Sequence, residues 1–453
     1  MNLGETEDLR VGTGYRDILK MAMPITLALL VPQINFITNN IFLSGLGEDA
    51  LASAGLTGVF YLIFAVIGSG LNNGIQMLMA RRAGENQPAQ IGILFYHGTR
   101  VTIAFSLAGI LLTYFPGGMI LRWAIHNDVT ADRVIEFLQI RIWGLPFLYL
   151  YGLRNSLLVG TGKTNLLFWG TMAEALTNIV LDYVLIYGKF GFPALGFNGA
   201  AYASVVAEAT GLLVVFMVIR LQKLHQQFFL NRPERLKMKV VKLMVTESSP
   251  LMLQYAISIV TWEYFYILIE HYGERALAVS NMMRNIFGLV GIFSWAFAST
   301  TNTMVSNLIG QKKHDDVLML IGRIARTSVF FCTPILLFLN IFPELIFSLY
   351  GLGDEFVAAS IPVLRVVTVA LALMSFSAVW LNSVTGTGNT RVNLYIEIFA
   401  IVFYILYVSV VLEIMDLGIV WGWGSEILYW VCMFAPAFFY MKYGGWRKKT
   451  RQN

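Results

Sequence analysis

The chain has 453 residues, of which 57% are hydrophobic and only 13% charged, with a net charge of +5. Soluble domains carry about 25% charge, so a water-soluble globular fold is excluded. The small positive excess lies in loops, which argues against a nucleic-acid-binding face.

Taken in chain order, Met1 to Lys20 is polar, and the apolar run that follows is too long for a signal core, so no cleavable signal peptide is expected. Twelve membrane spans are predicted. The first six cover roughly 18–44, 52–80, 92–115, 133–160, 165–188 and 197–220. The second six cover roughly 246–271, 276–309, 318–342, 360–386, 391–413 and 418–442. Each can cross a hydrocarbon core of about 30 Å. Pro32 and Pro146 fall inside spans and are candidate kinks. Cys332 and Cys432 lie in apolar runs without metal-like spacing and are expected to be inert, with no disulfide or zinc site. No two of His97, His126, His225, His271 and His314 share a helical face within a span, so neither haem ligation nor a catalytic metal site is expected.

The loops separate by charge. One side carries Arg10, Arg16, Arg81, Arg82, Lys163, Lys312, Lys313, Arg391 and the tail Arg447-Lys448-Lys449, joined by a linker with Lys223, Arg232, Arg235, Lys237, Lys239 and Lys242. The other side offers Glu48, Asp49, Glu270, Glu274, Asp354, Glu355 and Asp416. The positive-inside rule then makes both termini and the linker cytoplasmic. The linker reads as a lipid-facing anchor.

The two halves repeat. Pro24 matches Pro250, and Gly47 to Ala52 returns as Gly273 to Ala278. Gly84 matches Gly310, and Gly160 to Thr164 returns as Gly386 to Thr390, all at one offset of 226. Leu195-Gly196 returns as Leu417-Gly418, so the offset shrinks in between. Six spans per half is an even number, so both halves enter the membrane in the same direction. The fold expected is an all-α integral membrane protein of twelve transmembrane helices, in two six-helix lobes related by a parallel internal repeat. The lobes are 1–220 and 246–442, with a basic cytoplasmic linker at 221–245 and a cytoplasmic tail at 443–453. Duplicated bundles of this kind are mostly transporters.

Charges inside a membrane cost at least about 2.5 kcal/mol, so they mark function or pairing. The fifth span holds Glu174, Asn178 and Asp182 at i, i+4 and i+8, one stripe of a helix. Asn39 and Asn40 in the first span, and Ser204 with Glu208 in the sixth, add polar groups to the same lobe. Carboxyls in low dielectric can exchange protons near neutral pH. They can equally lend oxygens to a monovalent cation, or serve as structural glue. In the second lobe Asn39, Asn178 and Asp182 meet Phe265, Tyr404 and Val408. That lobe has its own acids, Glu263, Glu397 and Glu426. Glu263, between Trp262 and Tyr266, resembles a wall that attracts organic cations. Arg141 and Arg284 are candidates to pair with buried acids.

These landmarks resemble the multidrug and toxic compound extrusion (MATE) family over roughly residues 18–442. The resemblance rests on Pro24, on Asn39 to Gly47 followed by Ala50-Leu51-Ala52, and on the Gly84 and Gly160 to Thr164 turns. Its densest stretch is Asn178 to Tyr183, then Gly188, Gly191 to Gly196 and Gly199 to Ala201. The resemblance implies alternating access by two lobes, and antiport of organic cations and amphipathic drugs against sodium or proton flow. It implies coupling through a first-helix Asp and a fifth-helix Asn and Asp pair, which fall on Asn178 and Asp182. The first-helix Asp falls on Asn39, an amide that cannot ionise although its carbonyl can bind sodium. In another branch a seventh-helix carboxylate serves the cation, and Glu263 is on that helix.

The reading is therefore a cation-coupled exporter of a bacterial inner membrane, not an enzyme. Asp182 would be the principal coupling group, with Asn178 and Asn39 as neutral ligands and Glu174, Glu208 and Ser204 in support. Glu263 would be a substrate-side or second coupling acid, with Trp262 and Tyr266 beside it. No cofactor is expected beyond the coupling ion, Na+ or H+, with Na+ possible at Asp182 and Asn178. The expected partners are small organic cations and the lipid bilayer, with no nucleic acid and a monomeric state. The alternative is a lipid-linked oligosaccharide flippase, which would want an arginine-rich cleft. An intramembrane enzyme would need a catalytic constellation, and none is visible.

Overall fold

A computed structural model describes residues 8–125, 127–232, 234–348 and 353–447. His126, Lys448 and Lys449 of the sequence reading lie outside the described residues. All regular structure among the described residues is helical.

The helices are α1 Tyr15–Ser44, α2 Glu48–Gly84, α3 Pro88–Leu112, α4 in two pieces (Asp128–Arg141 and Leu145–Gly160), α5 Leu167–Tyr187 and α6 Phe197–Leu221. There follow α7 Met238–Glu270, α8 Glu274–Gly310, α9 Val317–Ile341, α10 Asp354–Gly386, α11 Thr390–Val408 and α12 Gly424–Tyr443. Among the described residues, nine helical stretches are long and apolar enough to cross a membrane. The other three have visible reasons to fall short. A 3-10 turn interrupts α4, α5 carries Glu174, Asn178 and Asp182, and α12 has only 20 residues and begins with Glu426 in its first turn. All twelve predicted spans are thus helical.

The two expected kinks behave differently. α1 runs unbroken through Pro32. Pro146 instead opens the second piece of α4, just after the turn Ile142–Gly144. There the missing N–H of proline costs nothing, because the first N–H groups of a helix have no carbonyl to return to.

The repeat is written in the backbone. Gly47 and Gly273 precede α2 and α8 with φ of 102° and 91°, a conformation that only glycine adopts freely. Gly162 and Gly388 match likewise, with φ of 72° and 83°. The shrinkage of the offset lies after α5 and its counterpart α11: nine non-helical residues, 188–196, follow α5, against four, 415–418, after the helical continuation of α11. There the helix passes through a π-helical turn, Ser409–Ile414, and reaches Gly418 quickly.

The described residues form two compact units, one built on Leu27–Met252 and the other on Arg10–Thr26 with the chain from Leu253 onward. The division is not at the linker. The opening turns of α1 belong to the second unit, and the linker with the opening turns of α7 belongs to the first. Hydrogen bonds within each unit fix these segments. In the second, Arg323 Nη1 donates to the Thr13 carbonyl at 2.9 Å, and Val11 N–H donates to Asn307 Oδ1 at 3.1 Å. In the first, the Lys237 N–H donates to His97 Nε2 at 2.9 Å. His97 and Arg323 are 226 positions apart, so the repeat uses one place twice with different chemistry.

Inside the first unit, α5 and α6 pack through small residues, as helices in lipid do. A Cβ added to Gly199 would stand 2.8 Å from the Leu185 backbone, and one on Gly211 would stand 3.0 Å from the Glu174 Cβ. In the second unit, a Cβ on Gly386 of α10 would stand 2.9 Å from the Asn302 carbonyl of α8. Cys332 and Cys432 are free thiols.

Candidate functional site

The break in α4 places the first half of the site. Arg141 ends the first piece of the helix, and its side chain reaches Glu208 on α6 with both terminal nitrogens. Nη1 donates to Oε2 at 3.0 Å and Nη2 to Oε1 at 2.5 Å. The guanidinium carbon sits 3.8 Å from the centre of the Tyr61 ring on α2, and the Tyr61 hydroxyl donates to Glu208 Oε1 at 3.3 Å. Glu208 is 5% exposed. Gly144 completes the fit, since a Cβ there would collide with Glu208 Oε2 and Arg141 Nη1. The pair is bidentate, stacked and buried, the geometry arginine serves best.

The second half of the site is the polar stripe on α5. Asn178 is 2% exposed and Asp182 is fully buried. Both Asp182 carboxyl oxygens and Asn178 Nδ2 are buried without a hydrogen-bond partner among the described residues. Glu174, half-buried one turn before Asn178, packs against Gly211 and lies within electrostatic reach of Glu208 and Arg141. Asn39 on α1 has a buried Oδ1 without a partner, and no hydrogen bond among the described residues joins it to Asn178 or Asp182. Ser204, half-buried on α6, lies one turn before Glu208.

The second unit treats its polar residues differently. The aromatic wall of Trp262, Glu263 and Tyr266 already faces a cation from the chain itself. The Arg284 guanidinium lies 5.2 Å from the Trp262 ring and 5.4 Å from the Tyr266 ring, with Nη2 4.0 Å from Glu263 Oε1. Phe265 is buried edge-on against Trp423 at 5.3 Å and Tyr404 at 6.2 Å. Tyr404 in turn donates to Glu426 at 3.4 Å. Nearby, Glu397 on α11 is held by Gln254 and Ser258 of α7 and Tyr429 of α12.

Sequence reasoning expected Arg141 to pair with a buried acid, and it pairs with Glu208. It missed Tyr61, Gly144 and the ring of groups around Glu397. Two of those signals were legible: Gln254 and Ser258, and Asn393 and Glu397, each stand at i and i+4 on an otherwise apolar helix.

The sequence pattern of the MatE family matches the chain twice, at residues 24–184 and 250–410. The chain belongs to the MatE family. The two matched stretches stand in the register of the repeat, so each lobe is one MatE unit. Among curated relatives, a "Probable multidrug resistance protein NorM" of Synechocystis is 27% identical, over 52% of this chain and 51% of that protein. The "Multidrug resistance protein MdtK" of Yersinia enterocolitica is 25% identical, over 81% of this chain and 85% of its own. A crystal structure of MATE in complex with MaL6 superposes with a TM-score of 0.87 at 18% identity, over 100% of both chains. A transporter of the MOP superfamily from Pyrococcus furiosus gives 0.85 at 18% identity, over 100% of this chain and 99% of that one. At such identity the superpositions speak for the fold alone. This MatE protein is a multi-pass membrane protein with two lobes of six helices.

Proposed function

We propose that this MatE protein is a cation-coupled antiporter that exports organic cations and other amphipathic drugs by alternating access. The observation that carries the reading is Asp182, a fully buried acid on an apolar helix with neither oxygen hydrogen-bonded. An ionised carboxylate in that position is costly, and a proton or a sodium ion removes the cost. Binding of the coupling ion therefore favours one arrangement of the first lobe, which is what couples one flux to another. Asn178, one turn before Asp182, and Asn39, on α1 of the same lobe, supply neutral oxygens, and Glu174 adds a second acid on α5. The names of the relatives support drugs as the cargo. Charge asymmetry of the loops supports cytoplasmic termini and an inner-membrane setting.

The flippase reading loses support from the arginines. A pyrophosphate headgroup needs uncompensated positive charge, yet Arg141 is neutralised by Glu208, and Arg284 is held by Glu263 and two rings.

The test is gradient-driven efflux of ethidium from vesicles, with sodium and proton gradients imposed separately. Native protein is expected to pump under one of them, and Asp182→Asn is expected to lose at least about tenfold in rate. Equal pumping by both proteins would remove Asp182 from the coupling role. Flipping of a labelled lipid-linked saccharide without ethidium efflux would replace the exporter by the flippase.

A further inference from the structure

The second lobe contains an acid that this mechanism leaves unused. Glu397 is fully buried on α11. Gln254 Nε2 donates to its Oε2 at 3.0 Å. The Ser258 and Tyr429 hydroxyls lie 2.5 and 2.6 Å from its Oε1. Asn393 Nδ2 donates to Gln254 Oε1 at 2.6 Å, which fixes the Gln254 amide with its NH2 toward Glu397. Among the described residues no lysine, arginine or histidine pairs with it.

Other titratable groups around it are few. α12 offers Tyr429 and, beyond it, Glu426, and α11 itself adds Tyr404, whose ring lies 5.9 Å from that of Tyr429. α10 has no titratable side chain between Arg365 and Gly386. From α7 the facing groups are an amide and a hydroxyl.

The hydrogens can be counted. Three close contacts join pairs of oxygens: Ser258 Oγ to the Gln254 carbonyl at 2.8 Å, Ser258 Oγ to Glu397 Oε1 at 2.5 Å, and Tyr429 Oη to Glu397 Oε1 at 2.6 Å. A separate hydrogen in each contact gives the best-directed bonds, whereas one shared between two acceptors is bent away from both. The serine and tyrosine hydroxyls supply two, and the backbone carbonyl has none. The third belongs to the carboxyl. A neutral acid also removes the cost of an unpaired charge in lipid.

The geometry points to a proton-binding site in the second lobe, centred on Glu397 and separate from Asp182. The carboxyl holds a proton in this arrangement and gives it to water when the transport cycle parts it from Ser258 and Tyr429. Its part in transport rests on the exporter reading, whereas the bound proton does not.

Two measurements on purified native protein and Glu397→Gln keep those claims apart. The first is the infrared difference spectrum between the two proteins at neutral pH. A protonated-carboxyl C=O band present in native protein and absent from the variant is expected, and a carboxylate band in its place overturns the site. If Glu397→Gln does not fold, Tyr429→Phe carries this test. Loss of one partner must shift that band, and an unmoved band overturns the assignment. The second is proton release into weak buffer on adding ethidium, with ethidium binding followed by anisotropy in the same sample. Native protein is expected to release one proton more per molecule than Glu397→Gln at equal occupancy. Equal yields at equal occupancy overturn the role in coupling. A failure of native protein to bind ethidium overturns the exporter reading, and the infrared band still decides the site.

Discussion

The two lobes descend from one repeat, yet they bury their acids by different chemistry. The first holds Glu208 as half of an ion pair, doubly bonded to Arg141 over the Tyr61 ring. It also keeps Asp182 buried with no hydrogen-bond partner among the described residues. The second surrounds Glu397 with neutral donors and, among the described residues, no cation. The acids also stand at different positions along the repeat. In repeat register Glu397 stands at Thr171, eleven residues before Asp182, or about 16 Å along a helix at 1.5 Å per residue. Where the first lobe has Asn39, Asn178 and Asp182, the second has Phe265, Tyr404 and Val408, which are all buried. A duplicated backbone therefore conserves where helices run and where they turn. It leaves the buried polar positions free to diverge.

Breaking the ion pair should give the largest effect. Arg141→Leu leaves Glu208 buried without its cation and is expected to cost about 3–5 kcal/mol, read as a lower unfolding midpoint in detergent. Adding Glu208→Gln to that variant should recover most of the loss, because both charges are then gone. No recovery would mean that Arg141 matters for packing rather than charge. A Gly144→Ala change attacks the same pair by volume, and overpacking of this kind costs about 1–3 kcal/mol. Its effect should shrink in a Glu208→Ala background, where the added methyl meets one fewer neighbour.

The contrast between lobes is sharpest for the two glutamates. Glu208→Gln strands a buried arginine and should cost several times more than Glu397→Gln, which replaces one neutral hydrogen-bonding group by another at about 1 kcal/mol. Similar costs would say that Glu397 is charged and would erase the difference argued above. The smallest effect is expected from Tyr61→Phe. It removes one 3.3 Å hydrogen bond but keeps the ring under the guanidinium. That should cost about 0.5–1.5 kcal/mol at most, and a larger loss would make the hydroxyl essential to the pair.

Much of this was legible before any coordinates. The spans, the repeat and the stripe of Glu174, Asn178 and Asp182 follow from hydropathy, offset and helical spacing, and all twelve spans are helical. The partners were not legible. Arg141 and Glu208 are 67 positions apart, and Ser258 and Glu397 are 139 apart. No periodicity links residues so distant. Tyr61 and Gly144 look like any aromatic and any glycine of an apolar helix until the pair they serve is in view. The Trp262, Glu263 and Tyr266 wall shows the same limit, because the cation it faces, Arg284, comes from the next helix.

By itself the sequence determined that this chain lives in lipid, that its halves are copies, and which acids lie within its spans. Those properties are local or periodic, and lipid enforces them residue by residue. Only the tertiary structure decided which acid is paired, which is hydrogen-bonded and which is left alone. Those outcomes depend on distances between helices far apart in the chain, and in a low dielectric a few ångströms separate an ion pair from an acid that must find its own proton or cation.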